Sequence, residues 1–190
     1  MSGPSARDVV DATTTIRAEH DGVLDGIDPA AWARAGALLT GASAVFTVGT
    51  GRSGLALQMA AMRFMHLGLD AHVVGETTTP AIGSGDVLVA ASGSGSTARV
   101  VAAAWTALDE GAAVVAITTD SGSALAEAAT EILVVPAADK QDFDGTTSVQ
   151  YAGSLFEQSV LVLTDALFHA LWRTSGTQAR ELWRTHANLE

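Results

Sequence analysis

The chain has 190 residues, no cysteine, and 21 Asp and Glu against 10 Lys and Arg, for a formal net charge of -11 at pH 7. Without cysteine there is no disulfide, no thiolate metal ligand and no cysteine nucleophile; without a basic stripe, neither nucleic acid nor an anionic membrane is a fitting partner. The length suits one domain over 1–190, divided into N-terminal helices at 5–40, an α/β core at 44–172 and a C-terminal helix at 177–188.

Met1–Ala6 lacks the basic and apolar regions of a signal peptide. The segment Val160–Trp172 is interrupted by Thr164, Asp165 and His169 and falls short of the ~20 apolar residues that a membrane span needs. The expected setting is the cytoplasm. Ser5-Ala-Arg-Asp8 reads as a capping box opening a helix that fades near Gly22. Asp28-Pro29 places an N-cap before a proline at the first helical position, and that helix runs to about Leu39.

From residue 44 short apolar runs alternate with alanine-rich segments of helical length. Strands are expected at Ala44–Val48, Ala71–Val74, Val87–Ala91, Ala113–Thr118 and Glu131–Val135, and helices at Leu55–Leu67, Ala98–Leu108 and Ser123–Ala129. Runs this apolar, without strict alternation, suit strands covered on both faces, as in a parallel sheet. Gly68 and Gly111 are placed to end helices in the left-handed conformation. The pattern predicts a doubly wound α/β fold, followed by a polar loop at Ala137–Gln150 and a long helix from Ser154 to about Leu171.

Two glycine and hydroxyl loops follow strands. Gly49-Thr-Gly-Arg-Ser-Gly54 satisfies GxGxxG, with Glu76 some twenty residues on as a dinucleotide fold requires. Taken alone it fits an anion site at a helix N-terminus as well as a tight turn where a helix packs on the sheet. Ser92-Gly-Ser-Gly-Ser-Thr97 carries four hydroxyls in six residues, more than a capping loop uses. With Gly93 and Gly95 freeing the backbone, these donors can converge on a phosphate without a lysine. A nicotinamide enzyme would also need a catalytic Tyr-Lys or His-Asp arrangement, and here Lys140 and Tyr151 are the sole lysine and tyrosine, with a polar loop between them.

These loops, together with Met62-Arg-Phe-Met-His-Leu-Gly68, Val73-Val-Gly-Glu-Thr-Thr-Thr-Pro-Ala-Ile82, Gly153-Ser-Leu-Phe-Glu-Gln158 and the ending His186-Ala-Asn-Leu-Glu190, resemble the sugar isomerase (SIS) domain. More narrowly, they are similar to the 6-phospho-3-hexuloisomerases of the ribulose monophosphate pathway. The resemblance implies a three-layer α/β/α sandwich around a five-stranded parallel sheet, a homotetramer, and conversion of 3-hexulose 6-phosphate to fructose 6-phosphate with no metal and no coenzyme. It implies that Gly51, Ser53, Ser92, Gly93, Ser94 and Thr97 hold the phosphate. By the same resemblance Arg52 lies near the substrate oxygens, Glu76 and Thr77 border the substrate, Glu157 is the base and His66 the acid or ring-opening histidine. Ser96 stands where the family commonly has Glu, Thr50 where Ala is usual, and Tyr151-Ala152 where many members have a proline-containing pair.

Other roles fit the same residues. Ser154-Leu-Phe-Glu157 is itself a capping box, with Glu157 reaching back to Ser154. His66 lies on the helical face of Leu55, Met59 and Met62, as a core or subunit-interface histidine would. Arg52 could pair with a surface acid, Glu76 could fix the loop around it, and Asp165 needs a partner if buried. Other functions consistent with these loops are isomerisation of a pentose or heptose phosphate, and non-catalytic sensing of a sugar phosphate.

Overall fold

Capping chemistry written in the sequence sets the first two helices. The computed structural model describes residues 3–138 and 147–189; most of the loop expected at 137–150, Lys140 included, lies outside them. Helix α1 (Ala6–Asp25) opens on the reciprocal pair Ser5 and Asp8, and α2 (Pro29–Gly41) on Asp28, whose carboxylate accepts from the Ala30 N–H at 2.9 Å. α1 runs past Gly22 to Asp25, because Val23 is buried against the core while Gly22 faces open space.

The core alternates as expected: β1 (Val45–Gly49), α3 (Gly51–His66), β2 (Ala71–Val73), β3 (Val87–Ala91), α4 (Ala98–Asp109), β4 (Ala113–Thr118), α5 (Ala124–Glu127) and β5 (Glu131–Val134). α3 begins at Gly51 rather than Leu55, so the first loop is already the first turn of a helix. The five strands form one parallel sheet in the order β2-β1-β3-β4-β5. Side chains alternate across it: Val45, Val87, Val89, Val115 and Ile117 pack with α2, α3 and α6 (Ser154–Ser175), whereas Phe46, Val48, Leu88, Val114 and Ala116 pack with α4 and α5. The result is the three-layer sandwich.

This order reverses between β1 and β3. The chain leaves β1 for one face of the sheet through α3 and leaves β3 for the other through α4. A crevice opens at such a switch point beyond the carboxyl ends of the strands. α6 extends to Ser175, beyond the expected Leu171, and stops at Gly176 with φ +72°. The C-terminal helix is confined to α7 (Ala179–Trp183), shorter than the expected 177–188, because the chain turns after it to bring His186 back onto α3. Among the described residues no helix is long and apolar enough to cross a membrane.

Candidate active site at the mouth of the sheet

The two hydroxyl loops start side by side. Gly49 and Ala91 are Cα partners in the β1–β3 ladder, so Thr50–Ser53 and Ser92–Thr97 leave adjacent strands at the same level. α1, α2 and α5 have a side-chain cap, from Ser5, Asp28 and Ser123. α3, α4 and α6, whose N-termini meet at the mouth, have none: Thr50, Thr97 and Gly153 sit at the N-cap without a side-chain bond. Uncapped first turns present backbone N–H groups and the positive end of the helix dipole to an anion.

The second loop is held from behind by residues that its own sequence does not reveal. The Gly93 carbonyl accepts from Thr118 Oγ1 at 3.0 Å and from the N–H and Oγ1 of Thr119 at 3.0 and 2.8 Å. Gly95 has φ +60°, and a Cβ there would collide with Ser123. Gly93 rests on the Phe156 ring, which a Cβ would meet at 3.3 Å. Ser92 Oγ and Thr97 Oγ1 lie 2.8 Å apart, and Ser94 Oγ and Ser96 Oγ 2.9 Å apart, so the four hydroxyls form two pairs lining one loop. Gly49 and Gly54 approach so closely that a Cβ on either would stand under 3 Å from the other's backbone, which gives the last glycine of GxGxxG a packing role.

Glu157 does not form the capping box its spacing suggests. Ala152 adopts φ +50° and Gly153 becomes the N-cap, so Ser154 is already inside the helix and its hydroxyl caps nothing. The carboxylate turns instead to Arg52, with Nε 3.2 Å from Oε2. Its side chain is only 13% exposed, whereas that of Arg52 is 60% exposed, so the base candidate is the enclosed partner and the cation the movable one. Phe156 and Glu157 thus place the start of α6 against both loops.

Glu76 and Thr77 lie elsewhere. Both are exposed, and Glu76 lines a cavity of about 230 Å³ with Thr47, Gly49, Gly54, Gln58, Gly75 and Arg99, a set that includes neither Arg52, Glu157 nor the serine loop. On α3, Gly54 and Gln58 point away from the side that carries Arg52. Gly75, at φ +99°, leaves room for the Arg99 guanidinium, which a Cβ would meet at 2.5 Å. The 73–82 loop is fixed in part by its own threonine, Thr79 Oγ1 donating to the Val73 carbonyl at 2.6 Å. Asp165 is exposed and needs no buried partner.

His66 is also remote from its own chain's loops. It stands fourteen positions along α3 from Arg52, which at ~1.5 Å per residue is roughly 21 Å along the axis. It is buried beneath the C-terminal segment, its ring stacked on His186 at 4.1 Å between centroids. Loss of solvent is the main cause that holds the His66 imidazole below the usual histidine value, with His186 and Arg63 adding repulsion. Leu55, Met59 and Met62, which a core histidine's face would bury, are instead 59%, 48% and 46% exposed. Sequence reasoning also missed two anchors on α1. Glu19 accepts from Ser148 Oγ, the Val149 N–H and Gln150 Nε2, and His20 Nε2 lies 3.0 Å from Gln158 Oε1 beside Glu157. Neither has a local motif that marks it.

Residues 38–162 match the SIS domain. The 3-hexulose-6-phosphate isomerase of Mycobacterium gastri is 47% identical over 183 residues, 96% of this chain and 92% of that one. The enzyme of the same name from Bacillus subtilis is 38% identical over 77% of this chain and 80% of its own. A Methanococcus jannaschii protein, whose crystal structure was taken to infer a molecular function of 3-hexulose-6-phosphate isomerase, superposes with a TM-score of 0.81 at 26% identity, covering 95% of this chain and 99% of that one.

Proposed function

The chain belongs to the SIS domain family and, within it, to the 3-hexulose-6-phosphate isomerases; on that premise we propose how its residues move the carbonyl of 3-hexulose 6-phosphate from C3 to C2 to give fructose 6-phosphate. The observation that carries the assignment of the site is the meeting of three uncapped helix N-termini with a hydroxyl loop, beside one enclosed carboxylate.

The phosphate sits on Ser53, Ser92, Ser94 and Thr97 and on the backbone N–H groups of Gly51 and Gly93, a neutral set completed by two helix dipoles. Glu157 removes the C2 proton. The electron pair forms the C2–C3 double bond, and the C3 oxygen takes a proton from His66 of a neighbouring subunit to give the enediol. The C2 hydroxyl then gives its proton to that His66 as its carbonyl forms, and Glu157 returns the first proton to C3. Arg52 is released from Glu157 as the substrate arrives and faces the oxyanion, whose developing charge a cation stabilises. Positioned acid–base transfer of this kind contributes ~10²–10⁴-fold.

His66 completes the site of a neighbouring subunit. Its distance from Arg52 in its own chain favours this arrangement, and so does the exposed Leu55, Met59 and Met62 face that runs between them. The assembly is a homotetramer in the cytoplasm, working without metal or coenzyme in formaldehyde fixation.

The test is direct. Purified protein is mixed with 3-hexulose 6-phosphate in the presence of a chelator, and fructose 6-phosphate is measured. No product, or product only after a metal is restored, overturns the proposal.

A further inference from the structure

The C-terminal segment folds back over the end of α3 and stacks three rings. Trp183 lies on His186 with centroids 4.5 Å apart, and His186 on His66 at 4.1 Å and an interplanar angle of 15°. Thr185 Oγ1 reaches the His66 carbonyl at 3.4 Å, and the His186 N–H donates to the Trp183 carbonyl at 3.2 Å. The Nδ1 atoms of both histidines are buried without a hydrogen-bond partner. A ring with no bond to fix its plane is oriented by packing alone. The ring stacked on it is that of His186.

We propose that His186 is a positioning residue for His66, its ring holding the His66 imidazole in the plane from which Nε2 serves the reaction. The inference rests on the reading of His66 as an acid–base group in a neighbouring site. A buried Nδ1 cannot reach a substrate, so the working nitrogen is Nε2. Two stacked imidazoles repel when both are protonated, and the charged neighbours acting on His66 are His186 from the C-terminal segment and Arg63 from α3. Burial under the C-terminal segment is the main cause, with this repulsion added, that holds the His66 imidazole below the usual histidine value, and a neutral Nε2–H is a donor to a carbonyl oxygen.

The experiment compares H186A, H186F and H66N with the unchanged enzyme over a range of pH. H186A is expected to lose kcat by about 10- to 100-fold, as misplaced catalytic groups do, with KM little changed. Its acid limb should move to higher pH, because relief of burial and repulsion lets the His66 pKa rise. H186F keeps a flat ring and should recover most of the lost kcat. The inference is overturned if H66N is slow while H186A keeps both its kcat and its acid limb. It is also overturned if H186F folds and stays as slow as H186A, since ring support alone then does nothing. An H66N enzyme with full activity removes the role of His66 itself, and the inference goes with it.

Discussion

Arg52 Nε stands 3.2 Å from Glu157 Oε2, an ion pair that ties the first turn of α3 to the first turn of α6. It joins residues far apart in the sequence at the one place where two loops, three helix starts and the end of the sheet coincide. The enclosed carboxylate is held ready by a cation that solvent or substrate can draw away.

Replacing Glu157 by Gln keeps the shape and a hydrogen bond to Arg52 but removes the carboxylate proposed as the base. The expected loss in kcat is ~10²–10⁴-fold, with phosphate affinity and circular dichroism unchanged. Near-normal turnover would take Glu157 out of the chemistry and leave it a structural tie.

Ser92 and Thr97 share one hydroxyl pair. Each substitution to Ala removes a neutral donor worth about 1 kcal/mol, so the inhibition constant for inorganic phosphate should rise by about fivefold. KM should rise with it and kcat should change little. If phosphate inhibits both variants as before, the anion is bound elsewhere.

Gly95→Ala sets a side chain at φ +60° against Ser123 and Thr118. The strained backbone alone costs about 1–3 kcal/mol, and the collision adds to it. A lower Tm and weaker phosphate binding should appear together, because the same turn aims the hydroxyls. A variant with unchanged Tm would mean the loop relaxes freely.

The exposed face of α3 predicts assembly. Met59→Asp puts a charge at the middle of the Leu55–Met62 face and should yield smaller species by light scattering, with activity lost in parallel if His66 serves a neighbour. A dissociated but fully active protein would return His66 to a structural role.

Glu19 gives a pH dependence with a definite sign. Burial alone would raise its pKa, but hydrogen bonds from Gln150, Ser148 and the Val149 N–H outweigh this and hold it below its ordinary value of 4.5. A depressed carboxyl stabilises the fold above its unfolded pKa and loses that contribution as pH falls through the folded one. The protection factors of the Val149 and Gln150 amides against exchange should therefore fall below about pH 4.5, and Glu19→Gln should remove that acid response. The same acid response in Glu19→Gln would assign it to another group.

Much of the fold was legible because each element carries its own signal. Caps at Ser5 and Asp28, glycines at 68 and 111, and buried runs such as Val87–Ala91 all act locally. Glu157 was ambiguous because its capping box is also local, and it is overridden only through the turn at Ala152-Gly153. His66 was harder still. Whether the Leu55, Met59 and Met62 face is buried depends on what packs on it, and that is not set within α3. Thr118, Thr119 and His186 were illegible for the same reason: each acts on a residue remote in sequence.

The three uncapped helix starts have a thermodynamic consequence. Because an anion that binds only the folded chain shifts the unfolding equilibrium, the melting temperature becomes a function of the buffer: phosphate at a hundred times its dissociation constant adds ~2.7 kcal/mol. A melt in phosphate and a melt in an uncharged buffer will therefore differ. That difference reports occupancy of the mouth without any turnover.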